Sequence, residues 1–460
     1  MLRKILVILS GNAAASLLLL ARNLIVARLI TVEDYGIAAT FAMTMALVEM
    51  STQFGLQQQI VQDRNGEDPH FQAVLQGFQL LRGIIAGGVL LALAAPIADF
   101  LNIPEVTWAY QVMALMPVLR SLQHFDIHRL NRAMRFGPMV LTGVIPALVS
   151  LMAVLPLALW LGDYRVMLFA LLLQEALGAI ISQIVAERPY RLAFDRAIMG
   201  QSLRFGWPLL MNGMLLFLVM QGDKVIVVRE LGMAALGIFG MGMTLTLTPT
   251  LILTKSVQSL FLPKLSTATH PEVRHRLNVA IMQTVMMLCL VFVTGTVIVN
   301  EPLVHVLLGA KFAPLTEILV WLAIMQAFRI LKVGPTVMAI ASGQTARLAW
   351  TNIPRVVLLV PAAWVAATGG GLTPIVLIAI LGEALGFGVT MALVGRDIPR
   401  EGLVLPAAVT TAMLVLFALT AAGWLPGPDW AGPLSCGLAL VGAVPVFHSL
   451  VRFIRPWSAT

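Results

Sequence analysis

Eight basic side chains lie inside otherwise apolar stretches of the chain: Arg22, Arg82, Arg120, Lys224, Lys255, Arg329, Lys332 and Arg355. Four acids share those stretches, Glu49, Glu175, Asp223 and Glu383. A charge at the centre of a bilayer costs at least about 2.5–3.5 kcal/mol on insertion scales. These groups must therefore pair with one another or line a wet cavity. Eight cations against four acids leave an excess of +4 that pairing cannot cancel, which implies an aqueous cavity suited to an anion. Five of the eight are Arg, the residue that recognises phosphate through two parallel hydrogen bonds.

Position separates the twelve. Arg329 and Lys332 are spaced i, i+3 on one helix face near mid-span, and Arg355 is also near mid-span, so these three are expected to line the cavity. Arg22, Lys224 and Lys255 lie near span ends, where they could equally snorkel. Arg82 and Arg120 could pair with Glu49 or Glu175, and Asp223 could neutralise Lys224. The four acids are also candidates for coupling transport to an ion.

Two polar stripes add to this set. Asn12, Ser16 and Asn23 share a face at helical periodicity, and Glu49, Gln53 and Gln57 follow at i, i+4, i+8. Each stripe could line a sugar-binding cavity or tie helices together. His124 and His128, with Asp126 between them, have the spacing of a metal pair. Beside Arg129 and Arg132 they read instead as a solvated helix end. No metal or cofactor is expected. The pairs Gly83/Gly87 and Gly382/Gly386 read as close helix packing.

The elements that position these groups must be membrane helices. The chain has 460 residues, 59% of them hydrophobic and only 11% charged, with mean hydropathy +0.91. That composition excludes a soluble domain, a disordered chain and a fibre. The net charge of +8 does not indicate nucleic acid, because no basic run or soluble basic domain exists to hold a phosphate backbone. Cys289 and Cys436 are too few for a disulfide framework. A ruler of about 20 apolar residues per crossing gives fourteen spans: 6–27, 35–58, 73–97, 108–125, 138–161, 166–186, 206–228, 235–261, 277–299, 318–341, 346–367, 373–394, 403–424 and 432–451. With the N-terminus inside, 18 Lys and Arg fall in inner segments and 4 in outer ones. This is the positive-inside pattern, and Arg452 and Arg455 put the C-terminus inside as well.

A shift of 201 residues lays ARNLIVARLITVEDYGI (21–37) over GDKVIVVRELGMAALGI (222–238). Both copies fall on an outer hairpin after an outgoing span, so the repeat is parallel. The expectation is an all-α polytopic membrane protein. A six-helix lobe (1–186) leads through a basic cytoplasmic linker (187–205) to a second six-helix lobe (206–396). Two additional helices follow (397–460), and the lobes surround a central cavity.

The segments ARLITVEDYGIAATFAM, QFGLQQQIVQ, RFGWPLLMNG and QGDKVIVVRELGMAALGIFGMGM resemble those of bacterial polysaccharide flippases. These flippases belong to the multidrug/oligosaccharidyl-lipid/polysaccharide exporter superfamily. Phe239 stands where that family usually has another aromatic, often Tyr. The resemblance implies a polyprenyl-diphosphate-linked oligosaccharide moved across the bacterial cytoplasmic (inner) membrane, for exopolysaccharide or O-antigen export. It implies alternating access, a lipid-linked glycan and membrane lipids as partners, a polysaccharide polymerase and export machinery nearby, and a monomer. The helices over 403–451 could offer a groove for the lipid tail. The alternatives are a peptidoglycan lipid-precursor flippase, a cation-coupled drug exporter of the same superfamily and, from another class, a membrane polysaccharide polymerase or ligase. No G-x-x-x-x-G-K-[ST] motif is present, and the longest outer loop (about 300–317) is too short for a catalytic domain, so an enzyme is not expected.

Overall fold

The structure, a computed structural model, describes residues 2–268, 270–394, 402–424 and 428–454. Side chains are described outside 2–10, 345–347, 428–432, 452–454, Asn12 and Ala349. Arg396, Arg400 and Arg455 and the side chains of Asn12 and Arg452 thus lie outside the described residues.

Long apolar stretches without water to solvate the backbone have to satisfy their own N–H and C=O groups, and helices do this locally. Every described element is accordingly helical. The chain packs as two compact units, 1–237 and 238–460. The first contains α1 (Leu2–Leu29), α2 (Val32–Thr52), α3 (Leu56–Gln62), α4 (Pro69–Phe100), α5 (Thr107–Met113), α6 (Leu115–Ser121), α7 (Asp126–Arg132), α8 (Gly137–Leu161) and α9 (Arg165–Val185). The helix α10 (Arg196–Thr267) begins in the first unit and ends in the second, broken at Gly232, whose φ of 85° is outside the helical range. The second unit continues with α11 (Pro271–Leu303), α12 (Leu315–Ala341), α13 (Ile353–Val357), α14 (Leu359–Ala367), α15 (Leu372–Val394), α16 (Val404–Ala421) and α17 (Pro428–Ile454).

Ten helices among the described residues are long and apolar enough to cross a membrane. One of them, α10, covers two of the fourteen expected spans. The expected spans at 6–27, 35–58 and 108–125 are not among the ten. The first is nonetheless one helix, α1, part of which lies outside the residues whose side chains are described. The second is more polar, α2 carrying Glu33, Asp34 and Glu49, and the last divides at Ala114 into two seven-residue helices, α5 and α6. The repeat boundary at 187–205 describes sequence correspondence. The unit boundary describes packing, and it leaves the first part of α10 with the first unit.

Glycines fix the closest approaches. A methyl group added at Gly87 would stand 2.6 Å from the Ala114 carbonyl, and one at Gly83 would be 2.7 Å from that of Pro117. The Gly83/Gly87 pair therefore lets α4 lie directly on α5 and α6. The repeat copies make a reciprocal contact. A methyl at Gly36 would collide with the Met233 carbonyl, and one at Gly237 with the Val32 carbonyl. Gly36 corresponds to Gly237, and Val32 to Met233, under the same 201-residue shift.

Candidate functional site

In the first unit four of the charged span residues, Glu49, Arg82, Arg120 and Glu175, lie on α2, α4, α6 and α9. Arg120 donates to Glu49 at 2.8 Å and lies 3.9 Å from Glu175. Arg82 donates to the Thr52 carbonyl at 3.1 Å. Glu49, Gln53, Gln57, Gln79, Arg82 and Arg120 line one narrow cleft. The stripe 49/53/57 is not one helical ladder, however. Helix α2 ends at Thr52, and Gly55 (φ 65°) starts α3 in a new direction, which only a residue tolerant of the left-handed region does cheaply. The break swings the following glutamines into the cleft. Gln58 and Gln123 complete its wall. Gln58 was legible in the run Gln57–Gln59, whereas Gln123 had no signal of its own.

In the second unit Arg329 donates to Glu383 at 2.7 Å, and Arg355 Nε lies 3.6 Å from the same carboxylate. The side chains of Arg329, Arg355 and Glu383 are 9%, 3% and 4% exposed. Lys332 Nζ donates to Asn352 Oδ1 at 2.9 Å and to the Thr351 carbonyl at 3.2 Å. The Gly382/Gly386 pair creates this arrangement. A methyl at Gly382 would stand 3.1 Å from Arg355 Cδ, and one at Gly386 2.7 Å from the Thr351 carbonyl. Small residues on α15 thus bring α13 and the turn before it onto the face that carries Glu383. Gln326, one turn before Arg329, is fully buried and accepts from Arg329 at 3.4 Å. Arg329 Nη2 and Gln326 Nε2 are buried donors with no acceptor among the described residues. Their i, i+3 spacing was the available sign that Gln326 belongs to the site.

The remaining residues are placed as follows. Arg22 is buried and donates to Ser150 at 3.0 Å and to Gln174. It points between α8 and α9, where no snorkelling occurs. On the same helix Ser16 is exposed and Asn23 half-buried. Asp223 is buried, Lys224 half-buried and Lys255 exposed. The structure does not bring Lys255 to the Glu383 cluster. By unit, Arg22, Arg82, Arg120 and Lys224 against Glu49, Glu175 and Asp223 leave +1. Lys255, Arg329, Lys332 and Arg355 against Glu383 leave +3. Most of the uncompensated charge belongs to the second unit.

The His124–His128 segment is not a solvated helix end. His124, Asp126 and His128 are 2%, 0% and 8% exposed. The start of the linker covers them, since the Glu187 and Arg188 backbone N–H groups donate to Asp126 at 2.8 and 3.3 Å. Arg129 donates to the same carboxylate and to Glu187. Burial pushes the Asp126 carboxyl up, but the hydrogen bonds from Arg129 and the two backbone groups outweigh it and hold the pKa below the usual range. Burial alone lowers the His128 imidazole to about 4. Arg188 ties the linker to α4 through Gln72 at 2.8 Å.

A family model described as polysaccharide biosynthesis protein matches residues 25–317. The chain belongs to that family. Its fold is that of the multidrug/oligosaccharidyl-lipid/polysaccharide exporter superfamily. It is similar to the lipid II flippase MurJ in an inward closed conformation, with a TM-score of 0.71 and 13% identity over 98% of this chain and 99% of that one. It is similar to an inward-facing multidrug resistance transporter of the MATE family, with a TM-score of 0.64 and 14% identity over 83% and 95%. A superfamily transporter from Pyrococcus furiosus, reported for the reverse polarity of its binding pocket, gives 0.55 and 15% over 85% and 93%. No curated protein matches the chain in sequence. The chain is thus a polysaccharide biosynthesis protein by family and a multi-pass membrane protein by its apolar helices, with the fold of these transporters.

Proposed function

We propose that this protein is a flippase that moves a polyprenyl-diphosphate-linked oligosaccharide from the inner to the outer leaflet of the cytoplasmic membrane by alternating access, with both termini cytoplasmic. The carrying observation is the Glu383 cluster. Three cations surround one carboxylate, and two adjacent buried donors, Arg329 Nη2 and Gln326 Nε2, lack acceptors among the described residues. Unsatisfied buried donors are costly, and a phosphate oxygen supplies the missing acceptors and charge together. In this reading Arg329, Lys332 and Arg355 hold the diphosphate. Gln53 and Gln57 meet the sugars, with Asn12, Ser16 and Asn23 as a further polar face, and Arg82 and Arg120 are further cations for the phosphates. Arg22, Lys224 and Lys255 add positive potential. Glu49, Glu175, Asp223 and Glu383 are the candidate coupling acids. Glu49, Glu175 and Glu383 each lie within 4 Å of an arginine, so protonating any of these three would leave that cation to the substrate. A polysaccharide polymerase and export machinery are the partners this reading implies.

A second reading, a peptidoglycan lipid-precursor flippase, is favoured by one observation. The lipid II flippase structure covers 98% of the chain against 83–90% for the MATE transporter structures. A cation-coupled drug exporter fits less well, because the uncompensated charge is positive. A leaflet-resolved flipping assay in proteoliposomes, run with a lipid-linked oligosaccharide and with lipid II in separate arms, tests both. Arg329→Ala, Lys332→Ala and Arg355→Ala should each lower flipping about tenfold, the effect of losing one charge-assisted hydrogen bond. Unchanged flipping in all three at equal expression refutes the diphosphate site, and lipid II as the sole substrate selects the second reading.

A further inference from the structure

A second cavity of the first unit is chemically unlike the polar cleft. It is an open groove between α2 and α4, walled by residues such as Leu47, Leu81, Ile85, Val89, Leu93 and Ile97. Ile85 and Val89 are 57% and 52% exposed, so they face the groove without protein packed over them. Arg82 is the only charged residue among those lining it. The same Arg82 also lines the polar cleft. One guanidinium thus stands where an apolar trough meets a hydrogen-bonding pocket. The ligand matching that junction is an amphiphile with an anionic group at Arg82, a polar head on one side and an apolar chain on the other.

Length distinguishes between amphiphiles. Along α4 the groove runs from Phe78 to Ile97, which at 1.5 Å per residue is about 28 Å. The hydrocarbon core of a bilayer is about 30 Å thick. A phospholipid acyl chain reaches only to the midplane, about half that distance. A chain that fills this groove has to be about twice as long. We infer that the α2/α4 groove carries the prenyl chain of the transported lipid, with Arg82 on the phosphate nearest the chain. This rests on the proposed substrate and places the chain on the first unit, not on the helices over 403–451.

The test uses the full-length protein in nanodiscs and two photoactivatable probes, a diazirine-bearing polyprenyl diphosphate and a diazirine-bearing phosphatidylglycerol. The prenyl probe should label the peptide spanning 81–97, and unlabelled polyprenyl diphosphate, but not phosphatidylglycerol, should compete. Ile85→Trp and Val89→Trp, which fill the groove, should lower that labelling about tenfold, the loss of about two methylene contacts. Leu159→Trp, at an exposed position on α8, should not. Arg82→Gln should weaken the diphosphate probe while leaving an uncharged polyprenol probe unchanged. Equal labelling by the phosphatidylglycerol probe, or prenyl labelling confined to 403–451, overturns the inference. A flipping comparison separates this from the substrate reading. If substrates with full-length and two-isoprene chains flip at the same rate, the groove is refuted and the substrate stands. If neither flips, the substrate reading itself fails.

Discussion

Glu383→Gln isolates the energetics of the second unit. The carboxylate lies 2.7 Å from Arg329 and 3.6 Å from Arg355, and all three side chains are at least nine-tenths buried. The amide keeps the shape and one acceptor but removes the counter-charge, leaving two buried guanidinium groups to repel each other beside Lys332. Breaking a buried ion pair by removing one partner costs about 3–5 kcal/mol. Domains of 150–250 residues, the size of the second unit, lose roughly 2–4 °C in Tm per kcal/mol. The expected fall is therefore about 6–20 °C, read by intrinsic tryptophan fluorescence of the purified protein in detergent. Adding Arg329→Met to Glu383→Gln removes one stranded cation and should recover about half of the loss, since replacing both partners by neutral groups is close to neutral. A Glu383→Gln shift below about 2 °C, less than about 1 kcal/mol on that scale, would show that water already solvates the cluster. The pairing account would then be wrong.

Three further outcomes follow. Gly386→Val places a side chain 2.7 Å from the Thr351 carbonyl and should cost about 1–3 kcal/mol of thermal stability by overpacking, while Gly388→Ala, with open space around it, should be neutral or gain up to about 1 kcal/mol. His128, near 4 in the folded chain against about 6.5 when unfolded, contributes stability that is complete above about pH 6.5 and is lost as pH falls towards 4. That amounts to about 3 kcal/mol, and His128→Gln should flatten the Tm–pH curve across this window. Asp126→Ala removes the acceptor of the Glu187 and Arg188 N–H groups and should speed tryptic cleavage of the linker after Arg191 about tenfold, through easier local opening.

Much of the fold was legible because lipid imposes one local rule on every span, and apolar length reports it directly. The GxxxG-type pairs were legible for a similar reason. Gly83/Gly87 and Gly382/Gly386 lie where backbones meet, and the spacing alone puts both glycines on one face. The pairing of Arg120 with Glu49 and Glu175 was one of the open readings. What escaped depends on long-range covering. Nothing near His124 or His128 indicates that a linker some 60 residues later closes over them, although Asp126 and Arg129 at i, i+3 advertise an ion pair. The direction of Arg22 was equally hidden, because its partners Ser150 and Gln174 lie more than 125 positions away. The stripe through Glu49, Gln53 and Gln57 was read with the right members on the wrong scaffold, since the backbone turn at Gly55 outweighs helical periodicity.

The paired glycine contact near the repeat hairpins has an implication in symmetry terms. Gly36 meets Met233 and Gly237 meets Val32, so residue i touches j′ while i′ touches j. That reciprocity defines an isologous contact, the kind that joins two identical subunits across a two-fold axis, here drawn into a single chain. One covalent chain no longer requires the two halves of the contact to stay identical. A bulky residue at Gly36 therefore disturbs one half while the other holds at Gly237, and each half can be altered separately.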